Sequence, residues 1–188
     1  MAFTIFLWIF GLATHVIAQT NASEHRQLET KLEALQGKAG IVVVRGSSEI
    51  GTISGNEGGE IRIRAIGYLD INTGDLVRGI EFFITAEHGS HPQIDYDEID
   101  SLVKAIDQLS TLDKNIIELE KFEAVYRTRC NMTVSLLEDP FRRGLSAVID
   151  GNVIGGGIVI LTIEKLGDLK RLVSEAKTRL DSMKKHTK

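Results

Sequence analysis

The stretch DYDEIDSLVKAI, residues 95–106, decides the fold. Asp95 is a helix-entry residue and Glu98 stands three positions on, as in a capping box. Ile99, Leu102, Val103, Ile106 and Leu109 then share one face at helical spacing. The stretch TIEKLGDLKRLV, residues 162–173, repeats the layout: Thr162 is placed to cap it, and Leu166, Leu169, Leu172, Val173, Ala176 and Leu180 form its apolar stripe. Setting Asp95 on Thr162 lays Ile99 on Leu166, Leu102 on Leu169 and Ile106 on Val173 without a gap. The regions before the two helices align poorly, so a duplication and the shared grammar of amphipathic helices both account for the match.

Outside these helices the apolar period is two. Ile41–Val44, Ile61-Ile63-Ala65 and Ile80-Phe82-Ile84-Ala86 read as strands, broken by turns at Gly46-Ser47-Ser48, Gly55–Gly59 and Asn72-Thr73-Gly74. Phe122-Ala124-Tyr126, Met132-Val134-Leu136 and Leu145-Ala147-Ile149 read the same way, with a turn at Asp150-Gly151-Asn152. Ile158–Leu161 is apolar throughout, the pattern of a central strand. Ahead of all this, Glu24–Gln36 carries Leu28, Leu32 and Leu35 on one face and Gly37 at its end, predicting a short N-terminal helix. The expectation is an α+β fold: antiparallel sheets with two long amphipathic helices, built as a duplicated ββββα unit or as its look-alike. Residues 41–188 form one α+β domain with halves 41–112 and 121–183, and residues 19–40 form an N-terminal segment.

Residues 1–18, MAFTIFLWIFGLATHVIA, hold no Asp, Glu, Lys or Arg and give way to the polar run Gln19–Glu24. Phe3–Leu12 offers about ten apolar positions, the size of a signal-peptide core and short of the roughly 20 that span a bilayer. Val16 and Ala18 fit the small-residue cleavage pattern, predicting export to the periplasm or medium with a mature chain that starts at Gln19 and has no stable membrane span. No Lys or Arg precedes the apolar core, which leaves an uncleaved anchor and a buried N-terminal element as alternatives. The one cysteine, Cys130, can make no internal disulfide and lies far from the cleavage point, which argues against lipidation; its ordinary role is a small, semi-buried residue near a strand. Asn21-Ala-Ser and Asn131-Met-Thr match the N-glycosylation pattern, which counts only in a eukaryotic secretory route.

Candidate chemistry is thin. Glu87-His88-Gly89-Ser90-His91-Pro92, followed by Asp95, Asp97 and Glu98, could bind a divalent metal through His88 and His91, but Gly89 and Pro92 mark a loop into a capped helix. Gly155-Gly156-Gly157 leads into a strand rather than a helix, which suits a bulge or a close backbone approach and not a phosphate loop. Ser146 lacks the glycine of a nucleophile elbow. Arg62 with Arg64 and Arg127 with Arg129 share strand faces, and Arg142-Arg143 stands in a turn. A single-strand binder would interleave aromatics there, and the chain is 6% aromatic with a net charge of −4. No catalytic, cofactor-binding or metal residue is assigned.

The segments Gly79-Ile80-Glu81-Phe82, Ile94–Leu102 and Phe122–Thr128 resemble a group of small exported bacterial proteins, over roughly residues 79–183. The resemblance implies export but no site, since the shared wording is structural. Four strands followed by a helix, twice, is similar in architecture to the Whirly and Pur-type single-stranded nucleic-acid-binding modules. The leading expectation is a non-enzymatic exported module of the cell envelope that acts by binding, with a protein or an envelope component as its partner, or by supporting an envelope structure. A Whirly-like nucleic-acid binder and a metal-dependent enzyme using His88 and His91 are the alternatives.

Overall fold

In a computed structural model, which describes residues 30–85, 89–113, 116, 121–138, 144–153 and 156–183, the period-two segments pair into two four-stranded antiparallel sheets. The first sheet has the order β1 (Val43–Ser54), β2 (Glu60–Asp70), β3 (Leu76–Thr85), β4 (Gln93–Asp95). A single 3₁₀ turn, Tyr96–Glu98, then leads into a helix at Ile99–Ser110. The second sheet has the order β5 (Glu123–Arg127), β6 (Thr133–Glu138), β7 (Leu145–Val153), β8 (Gly156–Leu161), followed by a helix at Ile163–Asp181. With the short helix α1 at Lys31–Gln36, these two are α2 and α3. The α+β architecture, with each four-stranded sheet leading into a helix, is as the sequence predicts.

The helices cross over. α3 lies against β1, β2 and β3 of the first sheet, whereas α2 packs on β5 and β6 of the second. α2 and α3 also pack against each other, and the pairs Lys170–Asp107 and Lys177–Asp100 show that they run antiparallel. The positions that superpose in sequence, Ile99 with Leu166, Leu102 with Leu169 and Ile106 with Val173, are all buried, in one core shared by both sheets. The sheets meet where β8 approaches β3. There Asn56 N–H donates to the Ile160 carbonyl at 2.8 Å, and Ser90 presses into a slot between Gly151 and Gly157. A Cβ on Gly157, whose φ is +85°, would stand 2.6 Å from the Ser90 hydroxyl, so the expected close approach at these glycines is real.

Several local expectations are corrected. Gly46-Ser47-Ser48 is no turn: β1 runs through it, with Gly46 opposite Gly67, and the strand is interrupted only by a bulge between Glu49 and Gly51. Asp150-Gly151-Asn152 is likewise an irregularity inside β7, where Asn152 takes a positive φ and donates its N–H to the Asp150 side chain. β8 is an edge strand and not a central one; Val159 and Leu161 enter the core, while Ile158 and Ile160 lie on the outer sheet face, which no element among the described residues covers. β4 is an additional strand, pairing Ile94 with Ile80. Thr162 has extended N-cap dihedrals but no side-chain capping bond; its hydroxyl instead hydrogen-bonds the Glu164 carboxylate and holds it below the usual range.

α1 starts later than its leucine spacing predicts. Thr30 caps it by accepting from Glu33 N–H at 3.1 Å while the Glu33 carboxylate accepts from Thr30 N–H at 3.0 Å, a complete capping box. Leu32 and Leu35 pack on Ile66 and Tyr68 from the outer face of the first sheet. The slot for Leu32 exists because residue 79 is glycine: a Cβ there would lie 2.6 Å from Leu32 Cδ1 and 2.1 Å from the Ile94 carbonyl oxygen. Leu28 lies outside the described residues, as do residues 1–18, where an export signal is predicted.

Leu102 is fully buried where α2 faces the shared core. Leu102→Ala should therefore destabilise the protein by roughly 2–5 kcal/mol through lost burial and a residual cavity, as read by chemical denaturation. A loss under about 1 kcal/mol, the scale of a surface change, would contradict the packing.

Candidate functional site

Each sheet covers one face with helices and leaves the other outward, and the two outer faces differ. On the first, alternation brings Arg45, Arg62 and Arg64 to the same side as Tyr68 and Phe83. Phe83 stands directly opposite Arg62, with guanidinium groups of Arg62 and Arg64 5.4 and 5.8 Å from its ring centre and His91 edge-on at 4.2 Å. Sequence reading thus places Arg62 and Arg64 correctly but misses the aromatic between them, since Phe83 becomes their neighbour only through the β2–β3 register. These arginines are not free for a polyanion. Arg45 holds both Glu81 oxygens at 2.7 Å, Arg62 pairs with Glu60 at 2.8 Å, and Arg64 lies within 4 Å of Glu49 and Glu81.

The carboxylates Asp95, Asp97 and Glu98, candidates for helix capping or metal ligation, do not cap the helix that follows them. Asp95 is buried at the N-cap of the 3₁₀ turn yet makes no capping bond there. Its oxygens accept from Lys31 N–H at 2.8 Å and Leu32 N–H at 3.1 Å, so it caps α1 from more than sixty residues away. Arg129 reaches the same carboxylate at 3.4 Å and Asp97 at 3.2 Å, and Lys31 also pairs with Asp97. Hydrogen bonds from Arg129 and Lys31 hold the Asp97 carboxyl below its ordinary range. Glu98 is buried and accepts from Arg129 N–H at 2.9 Å through one oxygen; the other has no hydrogen-bond partner among the described residues, and burial pushes its pKa up.

Cys130 is buried in the β5–β6 turn with Sγ 3.2 Å from the Thr128 hydroxyl, and burial raises its pKa, so little thiolate forms at neutral pH. His91 is exposed against Phe83, and His88 lies outside the described residues, as do Arg142, Arg143 and Gly155. Among the described residues no group of three or more His, Cys, Asp or Glu is placed to hold a metal ion, and no helix is long and apolar enough to cross a membrane.

Among the described residues nothing covers the outer face of the second sheet. Its register sets Val125 opposite Ser135, Ser135 opposite Val148 and Val148 opposite Ile160, a row in which three apolar residues are interrupted by the buried Ser135, beside the polar row Arg127, Thr133, Asp150. Val125 and Ile158 are 49% and 51% exposed. Glu123, Arg127, Asn131 and Asn152 rim a shallow groove of about 320 Å³ over β5, β6 and β7. Arg127 therefore faces this groove, while Arg129 has left the strand for the turn and bonds the acidic cluster, so the second predicted pair is split. The groove escaped sequence reading because its apolar row is assembled across four strands. No family model, no curated protein and no solved structure matches this chain.

Two outcomes test the electrostatics. Glu81 is buried, so Arg45→Gln removes the main partner of a desolvated carboxylate and should cost about 1–3 kcal/mol, trimmed by solvent screening of the half-exposed arginine. Arg62→Gln should cost under about 1 kcal/mol; equal losses in urea unfolding would contradict the arrangement. For Glu98 the folded-state pKa lies above the unfolded one, so its contribution to stability is full at acid pH and is lost as pH rises through the folded value. Glu98→Gln should raise Tm at neutral pH, and the gap over the native protein should close below about pH 4.3, the ordinary glutamate range. A constant gap would place the carboxylate in water.

Proposed function

We propose that this chain is an exported, non-enzymatic binding module of a bacterial cell envelope whose contact surface for a protein partner is the outer face of the second sheet. The observation that carries the reading is the row of exposed Val125 and half-buried Val148 and Ile160, which no element among the described residues covers, with Glu123, Arg127 and Asp150 beside it. Apolar centres with polar rims are the anatomy of protein interfaces, and an exposed apolar sheet face carries a cost that a partner relieves. Export rests on the apolar leader and the resemblance to small exported bacterial proteins. Single-stranded nucleic acid is the weaker reading, because the arginines flanking Phe83 are neutralised by glutamates on the same face.

A photoreactive amino acid at position 125 should give discrete protein adducts in intact cells, and Val125→Asp should abolish binding of the adduct protein while leaving Tm nearly unchanged. N-terminal sequencing of the envelope fraction should start at Gln19. Absence of adducts would sink the interface, and intact Met1 in soluble cytoplasm would sink the localisation. An oligonucleotide affinity tighter than about micromolar at physiological salt, falling steeply as salt rises, would favour the nucleic-acid reading instead.

A further inference from the structure

Four strand edges close the two sheets, and three of them are dealt with. β4 is three residues long and has α1 packed beside it, β5 is five residues long, and the edge of β8 receives Asn56 N–H at Ile160. β1 is twelve residues long, and among the described residues nothing pairs with its outer edge. Val44, Arg45, Gly46, Ser47 and Glu49 are exposed along it. A long edge without proline is a template for another strand, which proteins ordinarily block with repelling charges. Here the charges do the reverse. Arg45 and Glu49, of opposite sign, stand symmetrically two residues on either side of Ser47 and project to the same face; Arg45 pairs within the chain with Glu81, and Glu49 with Arg62 and Arg64, yet their side chains stay 44% and 58% exposed toward a second strand.

We infer that β1 pairs antiparallel with β1 of a second copy of this chain about a two-fold axis at Ser47, joining the two first sheets into one eight-stranded sheet. In that register Arg45 stands opposite Glu49 of the other copy twice over. Centring the axis on Gly46 would instead put Val43 opposite Glu49, and centring it on Ser48 would put Arg45 opposite Gly51, so one register alone is charge-matched. The bulge at Glu49–Gly51 bends β1 just past this stretch and limits the shared ladder to its straight part. The pairing is independent of the second sheet's outer face, which it leaves open.

Sedimentation of the full chain from low to high micromolar concentration should show a reversible dimer. Glu49→Arg, which sets arginine against Arg45, should weaken it by at least about tenfold, with the monomer's circular dichroism retained. Opposed residues of an antiparallel pair are about 4.5–5.5 Å apart between Cα atoms, within the span of a disulfide. Ser47→Cys should therefore link to its own copy on mild oxidation, while Thr52→Cys, which faces Val42 of the other copy, should not. A chain that stays monomeric throughout, or one in which Thr52→Cys links as readily as Ser47→Cys, overturns the inference and leaves the edge to a foreign strand.

Discussion

Everything in this structure depends on the exchange of helices between sheets. A four-stranded antiparallel sheet with one apolar face must bury that face, and each sheet here leads into an amphipathic helix able to do so. The chain does not simply fold each helix back on its own sheet. α3 packs mainly on the first sheet while also touching β7, and α2 packs on β5 and β6 of the second, so the helix stripes join both sheets in one core. Contacts far apart in sequence therefore dominate the core, and the antiparallel α2–α3 pair acts as the seam between the halves. The ion pairs Lys170–Asp107 and Lys177–Asp100 run along the outside of that seam and add register more than energy, since exposed pairs contribute about 0–1 kcal/mol.

The cluster around Asp95 extends the same logic to the N-terminal segment. Burying a carboxylate is costly unless its oxygens are satisfied, and Asp95 is satisfied by backbone donors of α1 and by Arg129 of the second half. One side chain thus ties three distant pieces of chain together. Glu98 is less well served: its second oxygen has no hydrogen-bond partner among the described residues, and its raised pKa is the consequence. The fold tolerates this because the first oxygen accepts from Arg129 N–H, which fixes the β5–β6 turn and with it the guanidinium that binds Asp95 and Asp97.

Helix faces, strand alternation and the two-fold repeat of four strands and a helix are local patterns, and they were legible. The buried stripes Ile99-Leu102-Ile106 and Leu166-Leu169-Val173 sit where periodicity puts them. What failed was anything requiring knowledge of a distant neighbour. Glycine near serine reads as a turn, yet Gly46 is strand because Gly67 stands opposite it. Asp95 followed by Glu98 reads as a capping box, yet both carboxylates leave for better donors elsewhere. The genuine capping box, Thr30 with Glu33, was written plainly in the sequence and was obscured by a leucine spacing that continues upstream of it. The groove on the second sheet had no local signal, because its rows are composed one residue per strand.

The contrast between the two outer faces follows from α1 and from where the acids fall. Leu32 and Leu35 bury the apolar half of the first face, and the glutamates there neutralise the arginines of the other half, so that surface is satisfied from within the chain. On the second face no described element plays the part of α1. Val125 and Ile158 remain exposed, and Arg127 makes no ion pair among the described residues. A chain that spends a helix, a glycine slot and five arginine–glutamate contacts on one sheet face, and nothing comparable among the described residues on the other, leaves its less satisfied surface on the second sheet, and that asymmetry is the physical basis of the proposed contact face.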